Sequence, residues 1–356
     1  MNLSYFAIIA ALFFAMNIGA SGAAATMGPA YGSGALKVRR AALFLAGIGA
    51  FLGAVIGGGE VVKTVGEGII PQAIFSIEVA IIILLASCLT LFLANVIGIP
   101  LSTSEVTIGA VVGVGIAFQA LYVTNVLYIV SFWILVPFTA FVLCFVLGKI
   151  ISFAENKWPQ LKGKGRWRKG LAILLVFTGF IEAFSAGMNN VANAVGPLVG
   201  AGVLDSSSAI WAGGAFVALG AVLLGGKVIE TNGKKITSFS LLQGTAVSGT
   251  GGGLVIIASV FGIPVPLTQA TTSGIIGIGC AENGFQLWQK DVIKKIIKVW
   301  IVSPVLSLVM SYSFIHAFLH PDPYSVVMIT AVIVATFGTI SLYRSVKIDN
   351  QVSAKN

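Results

Sequence analysis

The sequence predicts an all-α polytopic membrane protein made of two inverted-topology repeats, with broken or re-entrant helices and about 11 membrane crossings. Three observations support this prediction. The 356 residues are 57% hydrophobic and only 9% charged, with a mean hydropathy of +1.00, and no soluble domain of this length has such a composition. Long apolar runs recur along the chain, and four sequence blocks occur twice in the same order.

The apolar runs are mostly long enough to cross a bilayer as a helix, which takes about 20 residues. The first run lacks a basic leading segment and a cleavage-like site, so it is expected to be retained and not removed as a signal peptide. The runs cover residues 3–18, 41–56, 73–97, 126–150, 171–184, 208–224, 239–261, 299–319 and 324–342. Two shorter runs, 106–118 and 270–280, fit either short spans or re-entrant segments.

The duplicated blocks indicate that the chain arose by internal duplication. The segment GASGAAATMGPAYGSG aligns without a gap with GMNNVANAVGPLVGAG. Chance apolar similarity would not keep Gly-Pro and Ile-Pro in register over several blocks. The matched ranges are 19–34 with 187–202, 57–69 with 225–236, 98–115 with 262–279, and 133–137 with 300–304.

Equivalent loops of the two halves differ in charge. Lys37, Arg39 and Arg40 follow the first glycine-rich block, whereas Asp-Ser-Ser-Ser at 205–208 follows the second. The next two pairs of equivalent loops also differ in their number of lysines. Because cytoplasmic loops are rich in Lys and Arg, the two halves are predicted to be inserted upside down to one another.

This charge pattern predicts a multi-pass protein of the plasma (inner) membrane with its N-terminus outside. With five crossings per repeat and one further span, almost every lysine and arginine would lie on the cytoplasmic side. The predicted units are the first inverted repeat (1–150), a basic cytoplasmic linker (151–170), the second inverted repeat (171–345) and a cytoplasmic tail (346–356).

Other classes of function are not expected from this sequence. The net charge of +9 indicates cytoplasmic loops and not nucleic-acid binding. Cys88, Cys144 and Cys280 lie inside apolar runs without CxxC spacing, as small core residues do. His316 and His320 have the i, i+4 spacing of a metal pair but lack an acidic partner nearby. We therefore expect no enzyme, cofactor or metal site.

The two glycine-rich blocks are predicted to form a cradle for an anion near the membrane midplane. Residues 3–34 are too many for one straight helix, so a break is expected there. Non-helical backbone and helix N-termini at this depth would offer bare N–H groups and positive potential to a ligand. Alternatively, the glycines only allow close helix packing. The predicted contacts are Ser21, Gly22, Ala23, Asn189, Asn190 and Asn193.

Hydroxyl-rich segments follow prolines at equivalent places in the two halves, PLSTSE at 100–105 and PVPLTQATTS at 264–273. Paired hydroxyls beside paired glycine blocks favour a cavity lined by hydrogen-bond donors. Each hydroxyl alone could instead be a helix N-cap. The predicted lining residues are Ser102, Thr103, Ser104, Thr268 and Thr271.

At these residues the sequence resembles the inorganic phosphate transporter (PiT) family over nearly its whole length, the linker and tail excepted. That family has two inverted repeats, each with a Gly-Ala-Asn-Asp-Val-Ala-Asn-Ala motif and a Pro-x-Ser-Thr-Thr-His motif. Residues 187–194 read GMNNVANA, and residues 19–26 read GASGAAAT. The resemblance implies a secondary active transporter with alternating access, and a homodimer is expected from it.

The departures from the family motifs bear on the substrate. Gly22 and Asn190 stand at the family's Asp positions, and Glu105 and Gln269 at its His positions. Sulfate is fully deprotonated and offers only acceptors, so a carboxylate beside it would be repelled, whereas phosphate still carries protons. A neutral cradle therefore favours sulfate, with thiosulfate as a further candidate, and this pattern resembles the family's sulfate permease branch.

Import of a dianion against about 100 mV costs roughly 4.6 kcal/mol, so coupling to a cation is expected. Protons are the predicted coupling ion, because missing Asp residues make the family's sodium site doubtful. Acidic residues within or at the ends of apolar runs are candidate carriers. These are Glu105 and Glu182 first, then Glu60, Glu230 and Glu78. The alternatives are a sodium-coupled phosphate transporter and a passive anion channel.

Overall fold

The computed structural model describes residues 3–97, 101–163, 165–235, 239–284, 291–321 and 324, and the regular secondary structure of these residues is entirely helical. Short 3₁₀ turns lie at Gln72–Ile74 and Pro159–Lys162, and a π turn at Ile315–Leu319. The α-helices are α1 (Leu3–Gly32), α2 (Arg39–Gly57), α3 (Gly59–Glu67), α4 (Ile77–Ile97), α5 (Thr103–Ala117), α6 (Val123–Lys157), α7 (Trp167–Gly200), α8 (Ser206–Lys235), α9 (Leu241–Val260), α10 (Leu267–Asn283) and α11 (Asp291–Phe314).

Within the described residues, seven helical segments are long and apolar enough to cross a membrane. They are Leu3–Gly32, Arg39–Gly57, Val123–Lys157, Trp167–Gly200, Ser206–Gly226, Leu241–Val260 and Trp300–Leu319. Shorter apolar helices cover Ile77–Phe92 and Thr103–Ala117. The predicted class, an all-α polytopic membrane protein, is confirmed. The number of crossings stays a prediction, and the run 324–342 lies, apart from Tyr324, outside the described residues.

The glycine-rich blocks are helical, and the predicted break within residues 3–34 is wrong. Helix α1 is continuous from Leu3 to Gly32, and α7 runs unbroken from Trp167 to Gly200. The alternative interpretation explains these glycines, because a Cβ on Gly19 would overlap the Val217 carbonyl and one on Gly187 the Ala50 carbonyl. Glycine thus lets the helices touch through their backbones. A break occurs instead at Gly58, which separates α2 from α3.

The helices pack in pairs that correspond to each other when the matched sequence blocks are aligned. Helix α1 packs on α8 as α2 packs on α7, and α5 packs on α11 as α6 packs on α10. Helix α7 also contacts α1, α3 and α9. Its second half, from Glu182 onward, is almost completely buried. The polar residues of this half are therefore held inside the protein and away from lipid.

Candidate functional site

Three asparagines lie in the buried middle of α7. Asn189 and Asn193 are fully buried and Asn190 is 8% exposed. Asn190 and Asn193 lie one and four residues after Asn189, so the three side chains leave α7 on adjoining faces. These faces are directed towards α5 and the start of α10. Asparagine is a poor helix former because its amide competes for backbone groups. Here the amides bond to other elements, and tertiary contacts hold them in helical conformation.

Asn189 uses its whole amide to hold the connection between α9 and α10. Its Nδ2 donates to Ser259 Oγ at 2.9 Å and to the Ile263 carbonyl at 3.1 Å. Its Oδ1 accepts from the Val265 N–H at 3.2 Å and from Ser104 Oγ at 3.2 Å. The amide therefore joins α7 to the segment that precedes α10 and also to the first turn of α5.

The first turn of α5 completes this cluster, which we call the asparagine cluster (Asn189, Asn190, Asn193, Thr103 and Ser104). The Asn193 Nδ2 donates to Thr103 Oγ1 and to Ser104 Oγ, each at 3.2 Å. The Ser104 hydroxyl also lies 3.4 Å from Asn190 Oδ1. Asn193 Oδ1 is buried without a hydrogen-bond partner. An unpaired buried acceptor is costly, so this atom is available to a further polar group.

A narrow cavity adjoins the cluster on the side of α1 and has room for about one water molecule. Gly22, Ala23 and Asn190 are among its lining residues, with others from α2 and α8. A Cβ on Gly22 would meet nothing within 4 Å. Predicted anion-binding residues of both halves thus line one cavity, and it must widen to admit an ion larger than water.

Other predicted anion-binding residues lie apart from the cluster. Ser21 is exposed, and its hydroxyl donates to the Ile18 carbonyl of its own helix at 3.0 Å. Thr268 is half-buried in the first turn of α10. Ser102 stands at the N-cap of α5 without a side-chain capping bond, and Pro266 holds that position in α10. The N-cap interpretation therefore explains neither Ser102, which makes no capping bond, nor Thr268, which is not the N-cap residue.

Glu105 is buried in the first turn of α5 but points away from the asparagines. Its Oε1 accepts a hydrogen bond from Gln269 Nε2, and its Oε2 accepts one from Ser303 Oγ at 3.2 Å. Both carboxyl oxygens are thereby satisfied. Glu105 and Gln269 also line an apolar cleft of about 410 Å³ between α5, α6, α10 and α11, in which Trp133 and Trp300 take part.

Glu182 is fully buried in α7, against α9 and α10. Its Oε1 lies 2.6 Å from Thr271 Oγ1, and its Oε2 has no hydrogen-bond partner. A Cβ on Gly252 would lie 3.0 Å from the Glu182 Cα, so α9 approaches closely here. The predicted residue Thr271 thus belongs with this carboxyl group and not with the asparagine cluster.

The remaining acidic candidates are not buried. Glu60 in α3 and Glu78 in the first turn of α4 are exposed. The side chain of Glu230 lies outside the described residues. Within the described part of the chain, no three His, Cys, Asp or Glu side chains come together as a metal site would require.

The sequence did not point to three serines beside the asparagine cluster and the two buried glutamates. Ser259 bonds to Asn189, Ser303 bonds to Glu105, and Ser248 faces the Glu182 carboxyl group. Ser303 could have been found, because it replaces Val136 when the blocks 133–137 and 300–304 are aligned. A polar residue at an apolar position of one repeat signals a local partner, here Glu105. Ser259 and Ser248 lie in α9 among small residues and carry no such signal.

The chain is similar to known proteins in both sequence and fold. The phosphate transporter family is matched over residues 18–311. The sulfate permease CysP of Bacillus subtilis (strain 168) is 57% identical over 341 residues, 96% of this chain and 95% of that protein. A putative phosphate permease of Pyrococcus furiosus is 28% identical over 379 residues, 83% of this chain and 91% of that protein. A solved structure, "The sodium-dependent phosphate transporter", has a TM-score of 0.77 at 23% identity and covers 90% of this chain and 100% of its own. At that identity the likeness concerns the fold alone.

Proposed function

This chain belongs to the phosphate transporter family, as its motifs predicted, and on that premise we propose that it imports sulfate by proton-coupled symport with alternating access. The family and the names of the relatives indicate an anion transporter and not an enzyme. The 57% identical relative is named a sulfate permease. One observation in the site carries the choice of anion: within the described part of the chain, no carboxyl group takes part in the asparagine cluster or its cavity.

The chemistry of the cluster suits an anion without protons. Asn190 and Gly22 line one cavity where the family motif has Asp. Sulfate has only acceptors, so it pairs with amide and hydroxyl donors, while a carboxylate would repel it. Phosphate near neutral pH keeps a proton that a carboxylate can accept. Thiosulfate shares the charge and acceptors of sulfate and is the second candidate substrate.

Matched glycine contacts between α1 and α8 and between α2 and α7 support an inverted arrangement of the two repeats. Gly19 meets Val217 in α8, and Gly187 meets Ala50 in α2, which are equivalent contacts to within one residue under the duplication. Inverted repeats of this kind allow one bundle to rock against the other around a site near the midplane. Alternating access is therefore favoured over a passive anion channel.

The coupling ion is proposed to be the proton. Among the predicted proton carriers whose side chains the structure describes, Glu105 and Glu182 are buried, whereas Glu60 and Glu78 are exposed. Glu230 remains a candidate on sequence alone. A sodium-coupled phosphate transporter is the alternative, but hard cations prefer carboxylate oxygens, and the asparagine cluster has none.

The membrane arrangement belongs to the same proposal. The protein would lie in the plasma (inner) membrane with the N-terminus outside, and with the linker 151–170 and the tail 346–356 in the cytoplasm. The two repeats would be 1–150 and 171–345, with five crossings each and an eleventh at the end. A homodimer is expected from the family resemblance.

The experiment that tests the proposal is uptake of radiolabelled sulfate by purified protein in proteoliposomes. Internal and external pH, sodium and voltage are set independently. We expect saturable accumulation above equilibrium under an inward proton gradient without sodium, competed by thiosulfate and not by phosphate. A requirement for sodium together with competition by phosphate would favour the alternative, and uptake that stops at equilibrium would indicate a channel.

A further inference from the structure

The Glu182 carboxyl group lies on α7, seven residues before Asn189, so the two side chains share a face about two turns apart. The chain between them is helical and, apart from the partly exposed Phe184, buried. Glu182 is therefore close to the asparagine cluster but separate from it. Its surroundings come from other helices, α9 and α10.

The hydrogen bonds around Thr271 show where a proton must lie. Thr271 Oγ1 is 2.6 Å from Glu182 Oε1 and 3.1 Å from the Leu267 carbonyl oxygen. A hydroxyl group has a single proton, so it cannot make a full-strength hydrogen bond to both acceptors. If Glu182 is protonated, its O–H donates to Thr271, and the Thr271 O–H donates to Leu267. This arrangement gives each of the two contacts a proton of its own.

Among the residues that the structure describes, no charged group balances an ionised Glu182. The groups that face its carboxyl are the Thr271 hydroxyl from α10, the Ser248 hydroxyl from α9 and the Cys144 thiol from α6. Towards α2, the neighbouring Ala183 meets Gly49. All of these groups are neutral, and Glu182 Oε2 lacks a hydrogen-bond partner. A buried, unpaired carboxylate is costly, so the neutral form is favoured.

We infer that the Glu182 carboxyl group carries the coupling proton of the transport cycle. In this conformation its O–H group donates a hydrogen bond to the Thr271 hydroxyl. The inference rests on the proposed function for its role in transport. Release breaks the Glu182 O–H bond, and the proton passes to water when the site opens to the cytoplasm. A proton from external water re-forms the bond when the site faces outward.

The segment from Ile263 to Thr271 links this proton to the anion. Its start is held by Asn189 through Ile263 and Val265, and its end carries Thr271. After deprotonation, the Thr271 hydroxyl must turn from the Leu267 carbonyl to the carboxylate. This change removes a side-chain hydrogen bond from the first turn of α10 and so alters its curvature, and this turn directly follows the residues bound to Asn189. Proton loss on Glu182 therefore alters the asparagine cluster.

Glu105 has a different environment, although it is also a buried acid. Both of its oxygens have partners, Gln269 and Ser303, and each partner can donate or accept. Either protonation state is thus satisfied without a rearrangement. Glu105 is expected to join α5, α10 and α11 and to affect the pH dependence of transport less than Glu182.

The first test measures the proton itself in the absence of any anion. An infrared difference spectrum of wild type minus Glu182→Gln at neutral pH should contain the C=O band of a protonated carboxyl group. Thr271→Val should shift this band because the acceptor is lost, whereas Thr271→Ser should leave it in place. Absence of the band would overturn the inference, whatever the protein transports.

The second test concerns coupling and uses Glu67→Gln, an exposed change of the same chemistry, as the control. In proteoliposomes, Glu182→Gln should retain sulfate exchange at equal pH but lose pH-driven accumulation about tenfold or more, within the usual range of coupling between sites. Accumulation equal to Glu67→Gln with unchanged pH dependence would overturn the inference. If the infrared band is present but wild type does not exchange sulfate, the proposed function fails and the proton site stands.

Discussion

Glu105 and Gln269 occupy the same position in the two matched blocks 98–115 and 262–279, and their side chains are hydrogen-bonded to each other. They are 164 residues apart in the chain. In a protein of two inverted repeats, a residue can meet its own repeat equivalent only near the axis that relates the halves. If the predicted repeats are present, the first turns of α5 and α10 meet near such an axis, beside the asparagine cluster.

This contact predicts that the two residues can be exchanged. Gln269→Glu alone would bring two carboxyl groups together that cannot both ionise. Its thermal stability should therefore fall more steeply with rising pH than that of the wild type. Glu105→Gln combined with Gln269→Glu restores one acid and one amide and should regain most of the stability. Melting curves in detergent across pH measure both effects.

The variant with the exchanged pair should be slightly less stable than the wild type, for an identifiable reason. Ser303 donates to Glu105, but the equivalent position near Gln269 is Val136. The exchanged pair should thus lack one hydrogen bond, worth about 1 kcal/mol, and adding Val136→Ser should recover it. A double variant no more stable than Gln269→Glu would contradict the axial placement.

Glycine positions in α1 and α7 should respond differently to alanine. Gly187→Ala would place a methyl group against the Ala50 carbonyl of α2, and side-chain movement cannot relieve this overlap. We expect a loss of roughly 1–3 kcal/mol or more of stability, as in other overpacked cores. Gly22→Ala meets open space and should fold normally. Thermal unfolding of the two variants, compared with wild type, checks this, and equal stability of both would contradict the close packing.

Charge in the cavity should control the choice of anion. Asn190→Asp introduces a carboxylate beside Gly22, and sulfate binding should weaken about tenfold or more, or about 1.4 kcal/mol. Phosphate, which can share its proton with the carboxylate, should gain as a competitor. Asn190→Gln keeps the amide and serves as the control for a change in shape. Competition binding at fixed pH measures these ratios, and unchanged selectivity in Asn190→Asp would remove the cavity from the substrate path.

The inverted arrangement predicts opposite labelling of equivalent loops. Val38 and Ser207 are exposed residues at nearly equivalent positions after α1 and α7. In intact cells, a membrane-impermeant maleimide should label Ser207→Cys, whereas Val38→Cys should react only after permeabilisation. The parent chain, whose Cys144 and Cys280 are buried, gives the background. Labelling of both sites from one side would show that the halves are not inverted.

Much of the fold could be predicted because hydropathy is a local property. A run of about 20 apolar residues is stable as a helix in lipid whatever its neighbours are. The same locality misled the interpretation of the glycine-rich blocks. Gly19 and Gly187 suggested irregular backbone, but contacts with α8 and α2 keep those segments helical.

The sequence predicted many of the residues that form the site but not which of them contact each other. Asn189, Asn193 and Ser104 were named together and do meet, because the first turn of α5 packs against the middle of α7. Ser21 was named with them but turns to its own helix, because rotation of α1 is set by its packing on α8. The serines that complete the carboxyl sites gave almost no signal.

The sequence by itself determined that this is a helical membrane protein of the phosphate transporter family whose motifs lack the usual aspartates. Composition and motif order are local properties of the sequence, so they can be determined without knowing how the chain folds. Only the tertiary structure decided that Glu105 binds Gln269 and Ser303, and that Glu182 binds Thr271. These partners come from different helices, and their meeting depends on how each helix is rotated and how closely its glycines let it approach its neighbours.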